Sequence, residues 1–392
     1  MNNEEALVKL LEKATRTKLP IGINSYQYCL DEQVSISSDG TQSQEATADI
    51  TLYWDDSSLS RHRIVLPFPG DSHLPIHMWQ RVRYFDSYSA SLRSPSSLES
   101  LHACDESILE LMDQPVPPRS FGPWKTTYSI HTRKLARSTG EQKQETITEA
   151  LFQDTSPYLN TVYHKRRLPD EQEMTYLYEE HRWLQATGNH TSGPLERHHE
   201  KAFLLFSPQS LRTLLHSGFA ALLTDKRKQE HTLPFICYCS DHSSLSVYHD
   251  PYQPWSLGTR ALWPDGSIPK KQVLIAPAHT ELADLPRYYE AASLHVEHPN
   301  TARFHQWLSQ QELVDYVPDV QVQPSFSPYS QQLGWDSCAT RFIQGRPAIR
   351  GNLTFTFSLA TLVASPHLTL IAKVGWDGYG LAIPYRDLAF TP

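Results

Sequence analysis

The chain has 392 residues, a formal net charge of −8 at pH 7 and a hydrophobic fraction of 39%. This length allows two domains, each with its own core. The negative charge argues against a general nucleic-acid binder, because such proteins neutralise phosphates with clustered lysine and arginine. No uninterrupted apolar run approaches the length needed to cross a bilayer, so no membrane segment is expected.

The compartment is inferred from the first residues and the cysteines. The start MNNEEALVKLLEKA lacks a basic stretch followed by an apolar block, which argues against a secretory signal. Five cysteines, an odd number without framework spacing, indicate reduced thiols rather than disulfides. We therefore expect a cytoplasmic protein.

The N-terminal half is predicted to mix helices and strands. A stripe of apolar residues over 6–14 predicts an opening amphipathic helix. Alternation over 48–54, a polar turn and the run 63–66 predict a hairpin. A second helix is expected over 101–111, before three prolines. Residues 119–168 are polar and poorly patterned, and no strand is assigned there.

A boundary between two domains is predicted where the composition changes. Residues 188–194 are rich in Gly, Ser, Thr and Asn, which is typical of a linker. We therefore divide the chain into an N-terminal domain, 1–190, and a C-terminal domain, 191–392. The C-terminal domain is denser in strand-like runs, at 235–239, 245–248, 272–275, 353–357 and 368–374.

A strand followed by a capped helix is predicted near residue 207. The apolar run 203–206 leads into Ser207, a good N-cap residue, and Pro208, which is favoured at the first helical position. Apolar residues then recur at helical spacing, which predicts a helix with one buried face. These residues are Leu211, Leu214, Leu215 and Leu222.

The middle of this helix resembles that of a zinc peptidase without its catalytic residues. His216 is followed by Ser217, where a metallopeptidase needs the carboxylate that activates the metal-bound water. No second histidine follows within the next two turns. A single imidazole inside an apolar helix is more often a hydrogen-bonded core residue than a metal ligand.

Three later segments follow one another in an order that supports a family resemblance. Residues 245–275 carry a strand, an Asp-Pro turn, a Gly-containing loop and an Asp-Gly turn. Residues 294–317 read as a strand, a polar turn and a short amphipathic helix, and 345–363 contain Gly-Arg-Pro before Arg-Gly-Asn-Leu. With the helix after Ser207, this series resembles the TldD/TldE family, also called PmbA, whose paired metallopeptidase-type proteins process short or unfolded peptides.

The resemblance implies a chain without its own metal site. Active TldD-type members carry His-Glu-x-x-x-His on this helix and a cysteine near the C-terminus. The corresponding positions here are His216, Ser217 and Ala221, and the last cysteine is Cys338. The chain is therefore similar to the TldE-type, non-catalytic subunit. By this resemblance, zinc is expected in a TldD-like partner, and the substrate is expected to be a peptide.

These observations predict an α+β fold, with an N-terminal α/β part followed by a β-rich C-terminal domain of TldD/TldE type. For residues 174–186, apolar spacing fits a helix whereas the resemblance favours strands, and both assignments stay open. Trp376 and Tyr379, near the C-terminus, are candidates for substrate contact.

Two other functions stay open from the sequence. One is an active peptidase with a divergent metal site, in which His216 is joined by Cys237, Cys239 or His242. Zinc lost together with activity on chelation would indicate this function. The other is a peptide-binding maturation factor that performs no proteolysis.

Overall fold

A computed structural model describes residues 25–36, 41–55, 61–68, 103–113, 123–137, 142–154, 161–186, 191–193, 195, 202–223, 243–261, 269–277, 291–322 and 332–388. None of the helices in these ranges is both long and apolar enough to span a membrane. The helix predicted at 6–14 and the strand predicted at 235–239 lie outside the described residues.

The N-terminal sheet is antiparallel and, in the described residues, has six strands in the order β3-β2-β1-β4-β5-β6. Their bounds are β1 Ser25–Ile36, β2 Gln42–Asp55, β3 Arg61–Phe68, β4 Lys125–Arg137, β5 Gln142–Gln153 and β6 Thr161–Lys165. Ile50 of β2 pairs with Leu66 of β3, so the predicted hairpin is confirmed.

The region over residues 119–168 differs from its sequence-based description, because it contains β4, β5 and β6. Four consecutive residues of β4, Thr126 to Ser129, are buried. Side chains along a strand alternate between faces, so this run is covered on both sides. Three of the four carry small hydroxyl groups, which removed the alternation of apolar and polar residues that normally indicates a strand.

The first helix, α1, spans Glu106–Asp113 and confirms the later part of the helix predicted over 101–111. Asp105 precedes it, and its Oδ1 accepts a hydrogen bond from the Ser107 N–H at 3.0 Å. Its Oδ2 accepts another from the Leu168 N–H at 2.7 Å. The cap therefore begins the helix and also ties it to the segment after β6.

The open assignment for residues 174–186 is settled in favour of the helix, because α2 spans Glu171–Ala186. Asp170 Oδ1 accepts from the Glu173 N–H at 2.8 Å, and Glu173 Oε2 accepts from the Asp170 N–H at 3.1 Å. This reciprocal arrangement is a capping box, in which Asp170 takes the place of the usual Ser or Thr.

The C-terminal part is built on a large mixed sheet. In the part of the chain that is described, its strands lie in the order β12-β17-β18-β8-β13-β15-β16-β7, and β14 pairs with β15. The bounds are β7 Thr191–Ser192, β8 Ala202–Phe206, β12 Thr301–Arg303, β13 Leu313–Val317, β14 Gln321–Val322, β15 Gln332–Ile343, β16 Arg346–Ser358, β17 Thr369–Ala372 and β18 Gly380–Pro384.

A small sheet and three helices complete the C-terminal part. The sheet has the order β10-β9-β11, formed by β9 Ser246–His249, β10 Gln272–Ile275 and β11 Leu294–Glu297. The helices are α3 Pro208–Leu223, α4 Phe304–Ser309 and α5 Leu359–Ala364. The strands predicted at 245–248, 272–275, 353–357 and 368–374 are confirmed as β9, β10, part of β16 and β17.

Helix α3 lies between the two C-terminal sheets. Leu211, Leu214 and Leu215 are buried in a core that includes Leu204 of the large sheet and Val247 of the small one. These leucines follow the three-four spacing recognised in the sequence, so the predicted buried face is confirmed for them, whereas the side chain of Leu222 lies outside the described part. The packing fixes the start of α3 beside the end of β8.

The N-terminal sheet and the large sheet are joined through α2. Leu177 of α2 belongs to the core under the N-terminal sheet, and Leu184 belongs to a core of the large sheet. Between them, Glu180 is buried and contacts Lys373 Nζ at 2.8 Å. The division into two domains at residue 190 stays a prediction. The α+β class is confirmed, because the described residues form helices together with an antiparallel and a mixed sheet.

Candidate functional site

The start of α3 is held by two serines. Ser207 Oγ accepts a hydrogen bond from the Ser210 N–H at 3.1 Å and donates one to the Pro318 carbonyl at 2.6 Å. Ser210 Oγ donates to the Val317 carbonyl at 3.0 Å. The predicted strand, cap and helix are therefore confirmed, and the cap also anchors the helix to the end of β13.

The positions that the resemblance assigns to a catalytic motif lie further along α3. His216 and Ser217 are half-buried, and Ala221 follows in the last turns of the helix. Serine and alanine offer neither an activating carboxylate nor a second nitrogen ligand, so this donor set does not fit a catalytic zinc ion. Within the described residues, no group of three His, Cys, Asp or Glu side chains could hold a metal. Cys237, Cys239 and His242 lie outside those residues.

A cavity of about 270 Å³ opens beside the first turns of α3. It is walled by the N-terminal sheet, by α3 and by the turn before β18. The lining residues are Thr161, His164, Ser207, Pro208, Gln209, Arg212, Thr213, Leu257, Ala291, Ala292, Tyr316, Pro318, Gly375, Trp376 and Asp377. Both parts of the chain therefore contribute to one concave surface.

The strongest charges at this surface are those of Arg212 and Asp377. Arg212 Nη1 donates to Asp377 Oδ2 at 2.7 Å, and both side chains are more than nine-tenths buried. The Leu257 N–H and the Ser256 hydroxyl also donate to Asp377 Oδ2, at 2.9 and 3.2 Å. Burial alone would raise the pKa of Asp377, but Arg212 and the Leu257 N–H hold it below its usual range. The carboxylate is thus ionised and fixes the guanidinium.

A glycine allows the Arg212 side chain to lie close to the backbone of this turn. Gly378 has φ of +93°, a conformation that side chains disfavour, and a Cβ there would lie 3.3 Å from Arg212 Nη2. The Asp-Gly pair at 377–378 therefore supplies both the partner of the arginine and the space for it.

At the N-terminal wall of the cavity, His164 contacts the carboxylate of Glu149. The same carboxylate lies 3.4 Å from His131 Nε2 and 3.7 Å from Arg166 Nη1. Burial would raise the pKa of Glu149, but hydrogen bonds from the two histidines and the charge of Arg166 hold it well below its usual range. This carboxylate is therefore ionised at neutral pH and unsuited to donate a proton as a general acid.

The two candidates for substrate contact occupy different surroundings. Trp376 is 7% exposed, lines the cavity and stacks on Tyr316, with ring centroids 6.1 Å apart. Tyr379 is 40% exposed. Their contact with a substrate stays a prediction.

Sequence reasoning missed Arg212 and Asp377, although a charged residue within the apolar stripe of α3 was a signal.

Comparison with known proteins rests on structure alone, since no family model and no curated protein matches the sequence. This chain is covered over nearly its whole length by solved structures of similar fold. It is similar to TldE from Thermococcus kodakarensis, with a TM-score of 0.53, 12% identity and coverage of 97% of this chain and 98% of that one.

A second solved structure shows the same likeness. It is a protein from Bacteroides thetaiotaomicron described as a modulator of DNA gyrase, with a TM-score of 0.53, 10% identity and coverage of 98% of both chains. At identities this low, the structural likeness shows the fold of the chain and not its activity. The chain thus has the TldE fold, and the fold expected from the resemblance is confirmed.

Proposed function

We propose that this chain is a TldE-like member of the TldD/TldE family, and that it is the non-catalytic subunit of a heterodimeric zinc metallopeptidase. One observation supports the proposal: Ser217 and Ala221 lie on helix α3, at the positions that the resemblance assigns to a carboxylate and a second ligand. The end-to-end likeness to the TldE fold supports it.

In this proposal the catalytic chemistry belongs to a TldD-like partner in the cytoplasm. That partner provides the zinc, the activating glutamate and the remaining ligands. The present chain closes the chamber and helps to hold an extended peptide. A chamber that excludes folded proteins limits cleavage to short or unfolded chains.

The described surface offers two features suited to that role. The cavity beside α3 is large enough to take side chains of a peptide, and its lining includes both apolar and polar side chains. Among the described strands, β12 and β7 lie at the ends of the large sheet, and strand edges of this kind can pair with a peptide main chain without sequence preference.

Co-expression with a chain that carries His-Glu-x-x-x-His tests the proposal. We expect the two chains to elute together on sizing at micromolar concentration, and only the pair to cleave an unfolded peptide. The matched control replaces the motif glutamate of the partner with glutamine, which should preserve the pair and abolish cleavage. Separate elution would contradict the proposal. Peptide binding by a pair that never cleaves would instead indicate a maturation factor.

A further inference from the structure

A second, smaller cavity shares Pro208 and Arg212 with the larger one. Its volume is about 30 Å³, and its remaining walls come from α3, β9, the loop after β9, β11 and the turn before β18. A water molecule needs about 10–15 Å³ of such space, so the cavity takes a group of two or three heavy atoms. Tyr379, which is 40% exposed, lies in its wall and connects it with the surface.

Three polar atoms of this wall are buried and have no hydrogen-bond partner among the described residues. They are Arg212 Nη2, Gln253 Oε1 and His295 Nε2. About nine in ten or more buried backbone polar groups in native proteins, and the large majority of buried side-chain polar atoms, are paired with protein or with ordered water. Three unpaired atoms around one small cavity therefore point to a bound polar group.

The remaining bonds of Arg212 show that its free nitrogen is held in place. Its Nη1 donates to Asp377 Oδ2 at 2.7 Å, and its Nε donates to the Leu294 carbonyl at 3.0 Å. These two bonds fix the plane of the guanidinium, so Nη2 offers its donors in one direction. A fixed guanidinium edge is well suited to a carboxylate oxygen.

The other two side chains can also act as donors. Burial, together with the charge of Arg212, lowers the pKa of His295 to about 4, so the imidazole is neutral at pH 7 and can donate from Nε2. The Gln253 amide presents its NH₂ group after half a turn about its last bond. The cavity lining contains no Asp or Glu side chain. With the Gln253 amide turned in this way, the wall offers three donors and no carboxylate, which suits a ligand that accepts hydrogen bonds.

We propose that this cavity binds a carboxylate, and specifically the C-terminal carboxylate of a short peptide, through Arg212, Gln253 and His295. The carboxylate is inferred from Arg212, His295 and the turned Gln253 amide, whereas its assignment to a peptide rests on the proposed function. An ionised carboxylate accepts at two oxygens and donates nothing, which is the complement of these three groups. The site would favour peptides with a free end over internal segments of longer chains.

The first experiment compares N-acetyl-trialanine with its C-terminal amide by calorimetric titration of the full chain. We expect the free acid to bind at least about tenfold more tightly, a difference of about 1.4 kcal/mol. Gln253→Met removes the amide and fills the cavity, while the Gln253 carbonyl still accepts from the Ser256 N–H at 3.2 Å. This variant should bind the two peptides equally. The matched control is Gln306→Met, at an exposed position of α4.

A second experiment separates the cavity from the peptide role. The melting temperature is measured in sodium acetate and in sodium chloride at equal ionic strength. Acetate should raise it for the wild-type chain and for Gln306→Met, but not for Gln253→Met or His295→Phe. If acetate has this effect and neither peptide binds, the cavity does bind a carboxylate, but the carboxylate is not that of a peptide. If acetate has no specific effect and both peptides bind equally, the cavity holds only water and the inference is overturned, while the proposed function stands.

Discussion

The two halves of helix α3 differ in the side chains that they present. At its start, Arg212 and Asp377 form a buried pair with several further hydrogen bonds, and two cavities meet there. In its later turns, His216, Ser217 and Ala221 lack the acid and the second ligand of a zinc peptidase. The first turns of α3 thus carry the charges and cavities on which the proposed binding depends, and the later turns carry the residues on which the proposed lack of catalysis depends.

The largest expected effect lies at the start of the helix. Arg212→Met removes one partner of a buried pair and leaves Asp377 without its cation, which should lower the free energy of unfolding by about 3–5 kcal/mol. Urea denaturation measures the change. Arg303→Met, at an exposed position, is the control and should change stability by less than about 0.5 kcal/mol. A loss of stability in Arg212→Met as small as that of the control would contradict the role given to the buried pair at the start of α3.

The next effect is a pH dependence from His295, beside that pair. Its pKa is about 4 in the folded chain against 6.5 for the free side chain, and burial is the main cause. Between these values the unfolded chain binds a proton that the folded chain does not. The free energy of unfolding should therefore fall as the pH is lowered through this window, by about 3 kcal/mol in all.

The variant His295→Gln should show a shallower dependence between pH 6.5 and pH 5, measured by urea denaturation across this range. Gln306→Met, which changes no titratable group, should keep the slope of the wild-type chain. An unchanged slope in His295→Gln would show that the imidazole does not control stability in this range.

A smaller effect is expected at the cap. Ser207→Ala removes the acceptor for the Ser210 N–H and the donor to the Pro318 carbonyl. We expect a loss of about 1–2 kcal/mol in the free energy of unfolding, since this cap is buried. Thermal and urea denaturation give the value, and Ser309→Ala, exposed at the end of α4, serves as the control. A loss no larger than that of the control would argue against the cap.

The smallest effect on stability is expected in the turn of α3 that contains Ser217. Ser217 is half-buried, and a catalytic role would make its replacement costly to activity. Ser217→Ala should change stability by less than about 0.5 kcal/mol and leave cleavage by the complex unchanged. A peptide-cleavage assay of the purified pair measures this. A large loss of activity with intact folding would mean that the later turns of α3 do take part in the reaction.

Local signals in the sequence were sufficient for several elements. The hairpin, the strand and cap before α3 and the buried leucine face were predicted, because each depends on neighbours in the chain. The capping box of α2 was also readable, since Asp170 and Glu173 have the required spacing. That signal would have decided between helix and strand.

Other features depend on contacts that sequence patterns do not reveal. Arg212 and Asp377 lie 165 positions apart, so no spacing rule joins them. Strand β4 was missed because Thr126, Thr127 and Ser129 are buried hydroxyl residues rather than apolar ones. Gln253 and His295 reach the small cavity through the folding of two separate segments. The start of α3 as a binding site thus emerges only from the tertiary structure.

The most direct test of the central claim is the zinc content and peptide turnover of the isolated chain. Elemental analysis and an assay with an unfolded peptide should show neither stoichiometric zinc nor hydrolysis, while the complex with a TldD-like chain should show both. Tightly bound zinc in the isolated chain, with turnover that is lost on chelation, would contradict the account.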